Sequence, residues 1–230
     1  MILGAALMEV LLIRHGDPDY QRDTITEIGH REAKMLAIGL SAKPLSTIYV
    51  SPLGRAKDTM RYTADIMRID FTTLEWLREV CAPAVDGYAA WELPGTYILN
   101  RSKLPDLQTW FKEPLFGKSF LPFYQKIANR FDKVMHLWGY KKFGHMYRIH
   151  RASSKRIAFF AHKGTILTLL SYLLYWPLPL LFSHCQISPT GVTRLIWEEV
   201  DQEWAIPQLQ VLNDLSHLNV SVTDLKNQLG

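Results

Sequence analysis

Three short polar clusters in this 230-residue chain hold side chains able to do chemistry together: Arg14-His15-Gly16, Ser51 leading to Arg55, and His162-Lys163-Gly164. Arginine's planar fork donates two hydrogen bonds to a phosphoryl group. Histidine's ordinary pKa, about 6.5, lets the ring serve as a neutral nucleophile or as a cation. Arg55 falls just inside an expected helix start, where free backbone N–H groups favour an anion. Two arginines, two histidines and helix N-termini around one crevice describe a phosphate site. No Gly-x-x-x-x-Gly-Lys-Ser/Thr loop, no His-Glu-x-x-His pair and no aspartate-rich metal run occurs. The expected site is therefore built from cations, with no metal and no cofactor.

The elements around these clusters read as alternating strands and helices. Met8–Ile13 is an apolar run that reads as a buried strand ending in the first cluster. Thr26 is the expected N-cap of a helix reaching about Leu40, with Ile28, Met35, Leu36 and Ile38 on its inner side. Thr47–Val50 reads as a second strand, ending at Ser51-Pro52. Pro52 suits a helix start, and Leu53–Met67 carries helical spacing. A third strand is expected around Asp70–Trp76, and Arg156–Ala161 reads as a buried strand ending in the third cluster. Thr165–Tyr175 reads as a buried helix, and Val192–Trp197 and Trp204–Val211 as further strands. The expected fold is α/β: three layers, α/β/α, around a mostly parallel sheet. Ligands in such folds bind beyond the carboxyl ends of the strands, and all three clusters sit at such ends.

The middle breaks this pattern. Cys81–Ser154 is rich in proline and glycine at first, then shows the apolar stripe Phe123, Ile127, Phe131, Val134 and Trp138, then a basic connector. We read it as a helical or irregular cap inserted into a single domain spanning 1–230. Trp91, Trp110, Phe111, Phe116, Phe120 and Phe123 are expected to form mainly the cap's core, with one or two facing the substrate.

Composition narrows the class. Hydrophobic residues make up 48% and charged residues 21%, which excludes intrinsic disorder. Two cysteines, Cys81 and Cys185, exclude a disulfide scaffold and a four-thiolate zinc site, and both read as lone buried thiols. The formal net charge is +4. Between Lys133 and Trp197 there is no Asp or Glu but nine Lys and Arg, which leaves the rest of the chain at −5. Met1–Met8 lacks the basic start of a signal peptide, and the uncharged Thr165–Phe182 is short and broken by Pro177 and Pro179. A cytoplasmic protein without a membrane span is expected.

Leu12-Ile13-Arg14-His15-Gly16, Thr26-Glu27-Ile28-Gly29, Ser51-Pro52-Leu53-Gly54-Arg55-Ala56, Leu77-Arg78-Glu79, Phe160-Ala161-His162-Lys163-Gly164 and the tail Leu212–Leu218 together resemble the histidine phosphatase superfamily, which includes the cofactor-dependent phosphoglycerate mutases. The resemblance runs from about residue 8 to 218, apart from the insertion. It implies that His15 is the nucleophile that becomes phosphorylated and that Arg14, Arg55 and His162 line the phosphate pocket. It also implies that Glu79 donates the proton to the leaving oxygen, with Glu75 and Glu92 as acidic neighbours that compete for that role. Arg14 and Arg55 are expected to lower the pKa of His15 and keep it neutral.

Some residues depart from the family pattern. Lys163 stands where a small residue is usual. It either points to solvent or adds a phosphate-binding cation at the pocket mouth, which would favour a substrate with another anionic group. Pro18 replaces a common Ser or Thr, and Asp17 and Asp19 either contact substrate or are turn residues, the second being preferred. The insertion lacks a recognisable mutase cluster. The expected activity is thus metal-independent hydrolysis of a small phosphorylated metabolite through phosphohistidine, with a mutase as the alternative. A third reading is an inactive or secondary-function member that binds nucleic acid or an anionic protein around Tyr140, Phe143, Tyr147 and Arg148. A solvated basic face or a cationic rim guiding substrate is preferred over it. The oligomeric state is left open.

Overall fold

The computed structural model describes residues 7–80, 86–113 and 117–219. Cys81 and Phe116 lie outside them. In chain order the elements are β1 (Met8–Arg14), β2 (Pro18–Asp19), β3 (Thr24–Ile25), α1 (Glu27–Ser41), β4 (Thr47–Val50), α2 (Gly54–Met67) and β5 (Phe71–Thr73). After two single 3-10 turns come α3 (Thr96–Leu99), a third such turn, α4 (Gly117–Leu137), β6 (Tyr140–Phe143) and β7 (Met146–Ile149). The chain continues with β8 (Arg156–Ala161), α5 (Lys163–Leu174), α6 (Leu178–His184), β9 (Val192–Glu199) and β10 (Trp204–Asp214).

Eight strands form one sheet in the order β5-β4-β8-β1-β9-β10-β7-β6. The half that carries the three polar clusters is parallel: β5 with β4, β4 with β8, and β8 with β1. Beyond β1 the pairings are antiparallel. Strand periodicity divides the core in two, because successive side chains point to opposite faces. Leu11 and Ile13 of β1, with Ala158 and Phe160 of β8, pack against Leu36 and Leu40 of α1 and Ala56 and Met60 of α2. Val10 and Leu12, with Ile157 and Phe159, face the other layer and pack with Phe131 of α4 and Leu167 of α5. The α/β/α expectation holds.

The stretch expected as a connector after α4 is instead the β6-β7 hairpin, which closes one edge of the sheet. Its lysines hid the strand pattern, yet Tyr140 and Tyr147 point inward and are fully buried, and Lys141 marks an edge strand. α4 lies on the sheet as well: the Phe131 ring sits 5.5 Å from Phe159 and 5.9 Å from Trp197. Ile28, expected on the inner side of α1, is exposed. Thr26 caps α1 as expected: its Oγ1 accepts from the Gly29 N–H at 3.2 Å and donates to Asp17 Oδ2 at 2.6 Å. Asp19 ends β2, and its Oδ1 accepts the N–H groups of Gln21 and Arg22 in the turn that follows, while Asp17 receives the Thr26 hydroxyl.

The basic stretch forms no single face. Arg156 and Arg194 approach the buried Glu9 carboxylate at 3.1 and 3.5 Å, and Lys43 joins them at 2.7 Å. Lys142 sits 4.5–5.1 Å from the centroids of the Tyr147, Tyr172 and Tyr175 rings. Burial of Tyr140 and Tyr147 withdraws two of the rings that a base-stacking surface would need. Among the described residues, no helix is long and apolar enough to cross a membrane.

Candidate active site

Sheet register brings the clusters together. Arg14 pairs with Ala161 and Val50 with Phe160. The ladder continues one residue further, with the His15 N–H donating to Ala161 O at 3.1 Å and the Ser51 N–H to Phe160 O at 2.9 Å. Adjacent parallel strands therefore end side by side, and the residue after each end faces the same space. The His15 and His162 rings lie 5.0 Å apart. His162 Nε2 and Ser51 Oγ are 2.8 Å apart.

His15 is 2% exposed. Its Nδ1 lies 2.8 Å from Gly16 O. A carbonyl only accepts, so Nδ1 carries the proton and Nε2 of the neutral ring carries the lone pair. Burial pushes its pKa down to about 3, with Arg14 and Arg55 adding to the effect against the Gly16 carbonyl. The direction expected from sequence holds, but desolvation is the larger cause. Burial also holds His162 well below the usual range, helped by His15, Arg55 and Arg14.

Arg55 opens α2. Its Nη1 donates to Asp23 Oδ1 at 2.5 Å, and its guanidinium lies 5.4 Å from the Tyr20 ring centroid. Thr59, one turn further along, accepts from the Gly16 N–H at 2.8 Å and donates to Arg55 O at 2.7 Å, tying α2 to the turn after β1. Arg14 Nη1 donates to Ile187 O at 2.6 Å. Among the described residues, Nε of Arg14, Nε of Arg55 and Nδ1 of His162 are buried without a hydrogen-bond partner. Such a cluster of unspent nitrogens suits an oxyanion.

Glu79 is tied to the start of α5. Its Oε1 accepts the N–H groups of Val80 and Thr165, each at 3.0 Å; the Thr165 hydroxyl lies 3.2 Å from it and donates to Arg78 O at 2.6 Å. Among the described residues its Oε2 takes only the Gly164 N–H, at 3.2 Å. Burial raises the Glu79 pKa against the pull of these donors. Gly164 makes the approach possible, because a Cβ there would lie 2.6 Å from Val80 Cγ2 and 2.8 Å from both Glu79 Oε1 and the Trp91 ring.

One cavity of about 270 Å³ is lined by His15, Tyr20, Arg55, Glu79, Trp91 and Glu92. Of the residues expected from sequence, it gathers His15, Arg55 and Glu79, with Glu92 on its wall. His162 and Arg14 stand around His15. Lys163 does not line it; its buried side chain lines a neighbouring cavity of about 430 Å³ with Trp91 and Glu92. Glu75 is exposed and paired with Arg78 at 3.0 Å. Tyr20, Asp23 and Thr59 were missed from sequence; the spacing of Thr59 from Arg55 on one helix was the only local signal for any of them. A larger cavity, about 470 Å³, opens beside Glu9 at the other end of β1, where the three cations are already committed to that carboxylate. No group of three or more His, Cys, Asp or Glu at metal-holding spacing occurs among the described residues.

This site stands on a fold with known counterparts. The model of the histidine phosphatase superfamily (branch 1) matches residues 10–210. The chain belongs to the histidine phosphatase superfamily. With that family comes the enzyme class, phosphoric monoester hydrolase. Among solved structures, the phosphoserine phosphatase of Entamoeba histolytica with 3-phosphoglyceric acid is similar, with a TM-score of 0.65 and 21% identity over 92% of this chain and 100% of that one. The mycobacterial glucosyl-3-phosphoglycerate phosphatase with VO3 matches with a TM-score of 0.63 and 18% identity, over 89% of this chain and 98% of that one. At such identity the likeness shows the shared fold. No curated protein matches the chain significantly.

Proposed function

We propose that the protein hydrolyses a small phosphorylated metabolite, without a metal, through a phosphohistidine on His15. The observation that carries this reading is the Nδ1–Gly16 hydrogen bond, which leaves the Nε2 lone pair of a neutral ring in a cavity shared with Arg55 and Glu79. Nε2 attacks phosphorus while the ester P–O bond breaks, and the proton on Glu79 passes to the leaving oxygen. Oε2 holds that proton, since Oε1 already accepts two backbone N–H groups at 3.0 Å and Oε2 one at 3.2 Å. A water then attacks the phosphohistidine, Glu79 takes its proton, the P–N bond breaks, and phosphate leaves with His15 neutral again.

Arg14, Arg55 and His162 stabilise charge on the transferring oxygens, the largest expected contribution. A Ser51 hydroxyl that donates to His162 Nε2 places the ring proton on Nδ1, free for a phosphoryl oxygen. Solved neighbours held with 3-phosphoglyceric acid and phosphoserine support a small phosphorylated substrate.

A panel of phosphate monoesters assayed in chelator tests the reading. Wild type is expected to release phosphate, and His15→Ala to lose activity by on the order of 10³-fold or more. Equal turnover by both proteins, or dependence of the wild type on added metal, overturns it.

A further inference from the structure

We propose that Lys163 and the cavity beside it form a subsite for a second anionic group of the substrate, a carboxylate or a further phosphate. This rests on the phosphatase reading and goes beyond it to the class of ester that fits. Lys163 is 8% exposed, yet among the described residues its ammonium makes no hydrogen bond and no ion pair. Its stem is packed away while the ammonium keeps a solvent contact at the cavity, so the charge is partly desolvated with no partner in direct contact, and an arriving anion relieves that cost. Glu92 and Glu79 are close enough to act on Lys163 electrostatically, but among the described residues neither forms a salt bridge with it.

The geometry connects this cation to the reaction. The Lys163 cavity and the His15 cavity share two residues, Trp91 and Glu92, so they adjoin along that wall. Lys163 is the first residue of α5, and the next two N–H groups of that helix hold Glu79. On the far side the cavity is walled by Ser183, His184 and Gln186. That segment is anchored by Arg14, whose Nη1 donates to Ile187 O. A phosphoryl group at His15 and an anion at Lys163 can thus belong to one molecule lying past Trp91. The helix-end N–H groups do not make this subsite, because Glu79 already occupies them; the lysine side chain does.

Matched substrate pairs isolate the second charge. 3-Phosphoglycerate against glycerol 3-phosphate tests a carboxylate, and fructose 1,6-bisphosphate against fructose 6-phosphate tests a second phosphate. para-Nitrophenyl phosphate carries no second anion. Wild type is expected to prefer the more anionic member of at least one pair in kcat/KM, and the pair identifies the group. Lys163→Met is expected to lower that preferred kcat/KM by about 10–100-fold, mostly through KM, the scale of one lost charge-assisted hydrogen bond. Its effect on para-nitrophenyl phosphate is expected to be several-fold smaller, and Lys163→Arg to restore part of the preference.

An equal loss on every substrate overturns the subsite. So does a wild type with no preference in either pair, a result that needs no folded variant. A wild type that hydrolyses none of the esters overturns the phosphatase reading itself, whereas hydrolysis without preference overturns the subsite alone.

Discussion

Asp23 grips both ends of the Arg55 corner: Oδ1 accepts from Arg55 Nη1 at 2.5 Å and Oδ2 from the Gly54 N–H at 2.8 Å. Burial alone would raise the Asp23 pKa, but the Gly54 N–H and the Arg55 guanidinium outweigh it and hold the carboxyl below its ordinary value. A Cβ on Gly54 would run into the Asp23 carbonyl oxygen, so the chain crosses there only with glycine. In the proposed reaction Asp23 is a positioning residue that holds the Arg55 guanidinium at the cavity.

Asp23→Asn is accordingly expected to lower kcat/KM by about tenfold with the fold retained. In an Arg55→Gln background the same change should add little, because the two residues act as a unit. Independent, multiplicative losses in the double variant would show that Asp23 does not act through Arg55.

The Glu79 proton should matter in proportion to how poor the leaving group is. Glu79→Gln is expected to slow hydrolysis of alkyl phosphates by about 10²–10⁴-fold. para-Nitrophenyl phosphate, whose leaving group needs no proton, should be affected far less. In wild type, activity on alkyl esters should fall as pH rises through the raised Glu79 pKa, because the donor is then lost. A Gln variant with the same deficit on both esters would remove Glu79 from the donor role.

His15 links stability to pH. Its ring titrates near 3 in the folded protein and near 6.5 unfolded. Between those values only the unfolded chain binds the proton, so stability is full above the upper value and is lost as pH falls toward the lower one. The slope is about 1.4 kcal/mol per pH unit for one such group. Urea unfolding of wild type and His15→Gln should therefore diverge by about 2–3 kcal/mol between pH 6.5 and about pH 4.5. Parallel curves would mean the ring is not held neutral by the fold.

Gly164→Ala probes the seam between Glu79 and α5. The added methyl meets Val80, Glu79 and Trp91 at once. Overpacking of this kind costs about 1–3 kcal/mol. Thermal unfolding should show that loss, with kcat falling as Glu79 is displaced. An unchanged melting temperature together with full activity would contradict the contact.

Much of the site was legible as sequence because strand ends are local features. Met8–Ile13, Thr47–Val50 and Arg156–Ala161 each announce a buried strand, and each runs into a polar cluster. The β6-β7 hairpin was not legible. Lys141 and Lys142 interrupt its alternation, and only the packing of Lys142 among three tyrosine rings explains a lysine on the inner side. The dominance of burial over the arginines at His15 was equally hidden, since desolvation depends on everything packed around the ring.

The three buried strands that end in polar clusters, and the residues of those clusters, follow from the linear chain, because they depend on periodicity and short-range spacing. Three features were decided only by the tertiary structure: Asp23 on Arg55, 32 residues apart; Glu79 on the α5 N–H groups, up to 86 residues away; and Lys163 in the adjoining cavity. Contacts closed over such distances leave no local pattern. They exist only once the sheet has set its register and the helices have settled on its two faces.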